Sequence, residues 1–165
     1  MIIREINEQD ALALGNLIRQ VENESEFMLM EPGERKIDVE QQKKWIKSMQ
    51  NQENSTIIVA EKDNHLLGYL LVIGGSAKRN QHSAYIVIGI LKKYRGQGNG
   101  KKLFAYLDKW ATEHKIHRLE LTVVKDNESG VKLYKRMGFK IEGLKKHSLF
   151  IEGRFRDEYY MAKLL

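Results

Sequence analysis

"LKKYRGQGNGKKLF", Leu91–Phe104, carries glycine at 96, 98 and 100 among the basic residues Lys92, Lys93, Arg95, Lys101 and Lys102. The run before it, "YIVIGIL", is β-branched and apolar, which predicts a strand. After it, Leu103, Phe104, Leu107, Trp110 or Ala111, and His114 trace one face of a helix. Strand, glycine loop and helix in this order make an anion site. The first backbone N–H groups of a helix have no partner inside it. Glycines let the backbone approach a ligand with no Cβ in the way. A pyrophosphate fits this arrangement without a metal.

Two familiar phosphate loops are excluded by position. A P-loop reads G-x-x-x-x-G-K-[ST]. With Gly100-Lys101 as its end, it needs glycine at 95 and Ser or Thr at 102, where the chain has Arg95 and Lys102. The dinucleotide fingerprint G-x-G-x-x-G fails as well, because its last position is Lys101 or Leu103. That fingerprint also opens its fold, whereas this loop follows four predicted strands.

Outward from the loop, the chain predicts the order β-α-α-β-β-β-α-β-α-β-β. "IIREI" reads as a strand. Leu14, Leu17, Ile18 and Val21 follow the i, i+3, i+4, i+7 spacing of an amphipathic helix, with Asn7 or a neighbour as its cap. Pro32-Gly33 marks a turn, and Asp38 with Gln41 starts a second helix with Trp45, Ile46 and Met49 inward. Hairpins are predicted around Lys62-Asp63-Asn64 and Glu152-Gly153. A strand lies at "HRLELTVV", and a short helix at "ESGVKLYKRM" ends before Gly138.

The 165 residues suffice for one domain, residues 1–165, with a core of its own. At 42 % hydrophobic and 30 % charged the composition is that of a globular protein rather than a disordered one. Without cysteine there are no disulfides or thiolate metal ligands. No apolar run approaches the roughly 18 residues of a membrane span, and the N-terminus lacks the apolar core of a leader, so a cytoplasmic location is expected. The net charge of +6 is uneven. Residues 1–60 sum to −4 and residues 61–165 to +10. The acidic part gathers in Glu22, Glu24, Glu26, Glu31 and Glu34, suited to a cation, unless it is plain solvated surface.

"Arg95-Gly96-Gln97-Gly98-Asn99-Gly100" resembles the R/Q-x-x-G-x-G/A motif of the GCN5-related N-acetyltransferase (GNAT) family. Asn127 opens N-x-x-G-x-x-L-Y, close to the family's N-x-x-A-x-x-L-Y, and Gly138-Phe139 follows. "Ile141-Glu142-Gly143" and "Asp157-Glu158-Tyr159-Tyr160-Met161" resemble the closing segments of bacterial members. The likeness spans essentially the whole chain, with Asn99 in place of a frequent Ile and Gly130 in place of Ala. It implies an α/β fold: a mixed, mostly antiparallel sheet of about seven strands, its fourth and fifth splayed apart, flanked by about four helices.

The resemblance further implies an acetyl-CoA-dependent enzyme without a metal. The loop, with Arg95 to Lys101, would hold the pyrophosphate. Backbone at Ile88, Gly89 and Ile90 would pair with the pantetheine and polarise the thioester, and Asn127 would bind cofactor or cap its helix. A primary amine, ranked first as small and cationic, would attack directly in a ternary complex. Tyr134 would protonate the leaving thiolate, or else be a packed helix tyrosine. The base is open. Ribosomal-protein acetyltransferases of the family carry Glu where this chain has Thr122. Glu120 on the same strand face, His82, or water alone remain. Glu22, Glu24, Glu26 and Glu31 would line the acceptor end. A protein N-terminal or lysine amine is the alternative acceptor. A non-catalytic acyl-CoA module, or nucleic-acid binding through Tyr94, Phe104 and the basic cluster, are alternatives of another kind, the last ranked low enough that no nucleic-acid or membrane partner is expected. The edge of the final hairpin would allow a homodimer.

Overall fold

A computed structural model describes all 165 residues. Seven strands form one sheet: β1 (Ile2–Glu5), β2 (Thr56–Lys62), β3 (His65–Gly74), β4 (Ser83–Ile90), β5 (Arg118–Val124), β6 (Lys140–Ile151) and β7 (Arg154–Leu164). Their order across the sheet is β1-β2-β3-β4-β5-β7-β6. Every neighbouring pair is antiparallel except β4 with β5. Four helices flank it: α1 (Ala11–Glu24), α2 (Val39–Gln50), α3 (Asn99–Glu113) and α4 (Glu128–Arg136). The predicted α/β class, strand number and helix number all stand.

Local chemistry accounts for the elements. Asn7 accepts the Gln9 N–H at 3.0 Å while Asp10 accepts the Asn7 N–H at 3.0 Å, so the predicted cap closes a 3-10 turn, Glu8–Asp10, one turn ahead of α1. Asp38 caps α2 by accepting from the N–H groups of Glu40 and Gln41. Two left-handed residues close each hairpin: Asp63 and Asn64 between β2 and β3, Glu152 and Gly153 between β6 and β7. Both turns therefore match the right-handed strand twist. In α3, Trp110 and Ala111 are both buried, and His114 falls just past the helix, stacked on Trp110 at 4.0 Å.

The sheet is covered on both faces. Leu103, Phe104, Leu107 and Trp110 of α3 pack on Leu70, Ile86, Leu119 and Leu121. Leu14, Leu17, Ile18 and Val21 of α1, with Ile46 and Met49 of α2, pack on Ile57, Val59 and Tyr69 from the other side. Helices α1 and α2 reach only as far as β4, so beyond it this second face of β5, β7 and β6 carries no helix. Ile73, Leu144 and Tyr160 are exposed.

Candidate active site

The parallel pair is short. β4 meets β5 only at Ser83, Ala84 and Tyr85, opposite Arg118, Leu119 and Glu120. Beyond that, β4 stays bonded to β3 as far as Ile90, and β5 stays bonded to β7 as far as Val124. The two strands diverge while each keeps its outer partner. Leu91 donates to the Leu67 carbonyl of β3 at 3.0 Å, and the Ser83 carbonyl accepts from Gly75 at 2.9 Å. Odd residues of β4 thus turn their backbone groups toward β3. Ile88 and Ile90 turn theirs into the gap, while Gly89 does not.

The gap leads to the glycine loop. After a 3-10 turn, Lys92–Tyr94, the chain winds through Gly96 at φ +69° and Gly98 at φ +80° into α3. Both values belong to the left-handed region that glycine enters without strain. A Cβ on either would meet no protein atom within 4 Å, so the open side of the loop faces away from the protein. Gly100 differs: a Cβ there would lie 3.0 Å from Leu133, so its bareness lets α3 close on α4. No protein group accepts from the backbone N–H groups of residues 96 to 101, and Gly98 brings no side chain to the helix end. Such a row of donors at a helix N-terminus suits phosphate oxygens. The exposed Lys101 and Lys102 add charge.

Three polar loop residues brace it from within. Asn99 is buried and donates to the Tyr94 carbonyl at 2.8 Å; Gln97 donates to that of Lys93 at 2.8 Å. Arg95 donates through Nε to the Ile90 carbonyl at 2.9 Å, tying the loop to the end of β4. Glu24, at the end of α1, accepts the Lys92 N–H at 2.7 Å. That bond, aided by Gln20 and by the charges of Arg95 and Lys92, holds its carboxyl below the usual range.

Across the gap, Asn127 caps α4 by accepting the Gly130 N–H at 3.1 Å. A Cβ at 130 would come within 2.6 Å of the Asn127 amide, so Gly130 leaves that side chain its place. Tyr134 is half-buried, edge-on to Phe104 at 6.0 Å and to Phe139 at 6.2 Å. Burial, with a smaller effect of Tyr85, pushes its hydroxyl up to about 12. It therefore carries its proton throughout the neutral range. Arg136 is exposed in the last turn of α4.

The structure separates the remaining expected site residues. His82 is exposed and precedes β4, about 20 Å from Ile88 at about 3.3 Å per residue, too far to take a proton there. Glu120 lies opposite Tyr85 at the closed end of the gap, its carboxylate held by Arg118 at 2.9 Å. Arg118 also binds Glu142 with a 2.5 Å contact. Thr122 shares a 2.7 Å hydrogen bond with the Tyr85 hydroxyl just beyond the last paired residues. In the acidic stretch, Glu22 is 3 % exposed and paired with Arg35 at 2.5 and 3.0 Å. With Glu24 engaged on the loop, Glu26 and Glu31 are the expected acceptor carboxylates left exposed.

One residue of this neighbourhood carries no sequence motif. Tyr69 of β3 is 1 % exposed and pairs across with Gly89. A Cβ on Gly89 would fall 2.5 to 2.7 Å from the Cε1, Cζ and hydroxyl oxygen of Tyr69, so the phenol occupies that space. The available signal was a tyrosine in an apolar hairpin strand whose register places it beside a glycine.

A seven-stranded sheet parted at its one parallel pair, with a bare donor row at the mouth of the parting, makes a cleft whose end suits an anion. The chain belongs to the acetyltransferase (GNAT) family, whose model matches residues 18–139, and so to the acetyl-CoA-dependent N-acetyltransferases. It is 29 % identical to the L-amino acid N-acetyltransferase AaaT of Escherichia coli over 124 residues, 73 % of this chain and 75 % of that one. A GNAT-family acetyltransferase from Streptococcus pneumoniae superposes with a TM-score of 0.95 at 29 % identity, covering 99 % of this chain and 98 % of that one. The fold is also shared by yncA of Salmonella typhimurium, solved with its cofactor acetyl-CoA, at a TM-score of 0.88 and 19 % identity, covering 100 % of this chain and 94 % of that one. No helix is long and apolar enough to cross a membrane.

Proposed function

We propose that this enzyme transfers the acetyl group of acetyl-CoA to a primary amine of a small, cationic acceptor, by direct attack within a ternary complex. The observation that carries this reading is the donor row at residues 96 to 101, near the edge of β4 that no strand pairs at Ile88 and Ile90, where Arg95 takes the Ile90 carbonyl and the N–H groups stay free. The row would hold the pyrophosphate, with Lys101 and Lys102 beside it. The Ile88 N–H would donate to the thioester carbonyl oxygen, where negative charge grows as the amine attacks. Tyr134, still protonated at neutral pH, would give its proton to the departing sulfur and recover one from solvent. Asn127 would keep α4, and with it Tyr134, at the gap.

Support for an amine-bearing small molecule comes from the likeness to an L-amino acid N-acetyltransferase. The exposed Glu26 and Glu31 favour a positively charged one. With His82 distant and Glu120 clamped by Arg118, the ammonium proton would leave through water. The test is thiol release from acetyl-CoA across polyamines, amino acids and an N-terminal peptide. Turnover is expected with at least one small amine, matched by its acetylated product. A protein that binds acetyl-CoA and acetylates none of them is a carrier or sensor instead.

A further inference from the structure

Tyr69, 1 % exposed and beside the gap, is a polar residue that the transfer reading leaves without a task. Its side chain starts in β3, and its Cε1, Cζ and hydroxyl oxygen fill the space beside Gly89, so its hydroxyl end reaches over β4 toward the gap. Gly89 sits between Ile88 and Ile90, whose backbone groups line that gap. The hydroxyl forms no hydrogen bond within the chain, yet it is not among the fully buried side-chain atoms left without a partner, so this tip of an otherwise buried residue is open to a ligand. It faces the α1 side of the sheet, where the buried Glu22 with its half-buried partner Arg35 also lies, whereas Tyr134 packs on the α3 side. Burial, and then the negative charge of Glu22, push its ionisation far above the neutral range, so it stays a neutral hydroxyl.

We propose that Tyr69 positions the acceptor: its hydroxyl oxygen accepts a hydrogen bond from an N–H of the attacking amine on the face of the gap opposite Tyr134. This rests on the transfer reading, which places the thioester at Ile88. A neutral acceptor of hydrogen bonds suits the task. It holds an amine by one N–H and leaves the nitrogen lone pair free for the carbonyl carbon, whereas a bare carboxylate would favour the unreactive ammonium. The nearby Glu22, only partly offset by Arg35, would keep the potential there mildly favourable to a developing positive nitrogen. A side chain at 89 would evict the phenol, which gives Gly89 a reason beyond backbone freedom.

The test is Tyr69→Phe, which keeps the ring above Gly89 and removes the oxygen alone. For acceptors that the wild type uses, kcat/KM should fall about tenfold or more, the loss of one well-placed hydrogen bond. The acetyl-CoA Kd by calorimetry and the melting temperature should not change. Gly89→Ala, which forces the ring aside, should lower acceptor kcat/KM as well while acetyl-CoA still binds. Acceptor kinetics of Tyr69→Phe within twofold of wild type would overturn the proposal, and so would a parallel loss of acetyl-CoA binding. If the wild type binds acetyl-CoA and acetylates no amine, the transfer reading itself fails and takes this inference with it.

Discussion

At Tyr134 two demands meet in one side chain. The ring contributes to the core beside Phe104 and Phe139, and the hydroxyl lies where burial keeps it protonated. Tyr134→Phe retains the first and removes the second. We expect kcat to fall about a hundredfold, the scale of a lost general acid, with the acetyl-CoA Kd and melting temperature near wild type. A loss of stability without a loss of rate would make it a packing residue. The pH profile follows from the same shift. A hydroxyl pushed up to about 12 stays protonated below that value, so its ionisation produces no descending limb between pH 6 and about 10. The ascending limb should instead move with the pKa of whichever amine is supplied. A limb fixed across amines of different basicity would point to a titrating base on the protein. Arg35 carries a different kind of risk. Its removal strands a carboxylate whose side chain is 4 % exposed. A fully buried pair broken this way costs about 3–5 kcal/mol; Arg35 is 34 % exposed, so about 2 kcal/mol is expected for Arg35→Ala by urea unfolding.

At the scale of elements, the glycine loop divides its work among residues that look alike in the sequence. The Cβ of Gly98→Ala would enter the open side of the loop and strain a φ of +80°, at a cost of about 1 kcal/mol. Acetyl-CoA affinity by calorimetry should drop about tenfold as the donors are held off the phosphate. The Cβ of Gly100→Ala would press on the flexible end of Leu133 instead, with helix propensity compensating by up to about 1 kcal/mol, so affinity should stay within a few-fold. Equal losses from the two variants would contradict this division. Such distinctions are not legible in the sequence, where both are glycines of one motif. What was legible was local: the apolar stripe of α1, the turn residues Asp63-Asn64 and Glu152-Gly153, and the Asp38 cap. What was not depended on contacts distant in sequence. Glu22 meets Arg35 only because the segment between α1 and α2 folds back. Glu24 meets Lys92 across 68 positions. His82 looked available because a pattern of residues does not show which end of a strand the gap opens from.

For the whole molecule, the charge imbalance acquires a place. The basic loop, with Lys101 and Lys102, stands at the α3 end of the gap. The exposed Glu26 and Glu31 stand past the end of α1, the helix that covers the face carrying Tyr69. On the proposed function an anionic donor and a cationic acceptor would meet fields of opposite sign on one cleft. Both sets of charges are exposed, so salt should screen them: the Debye length falls from about 10 Å at 0.1 M to about 3 Å at 1 M. The KM for acetyl-CoA and for a polyamine should both rise over that range, while that for an acceptor with one amine and no further charge should change less. The double variant Glu26→Gln with Glu31→Gln isolates the acceptor side. It should raise the polyamine KM several-fold and flatten its salt dependence, with kcat and the acetyl-CoA KM unchanged. Glu22→Gln belongs outside this set, because its carboxylate serves Arg35, and it should act on stability. If the double variant keeps the full salt dependence of the polyamine KM, the acidic segment is solvated surface, and the acceptor's charge must be read by groups nearer the gap.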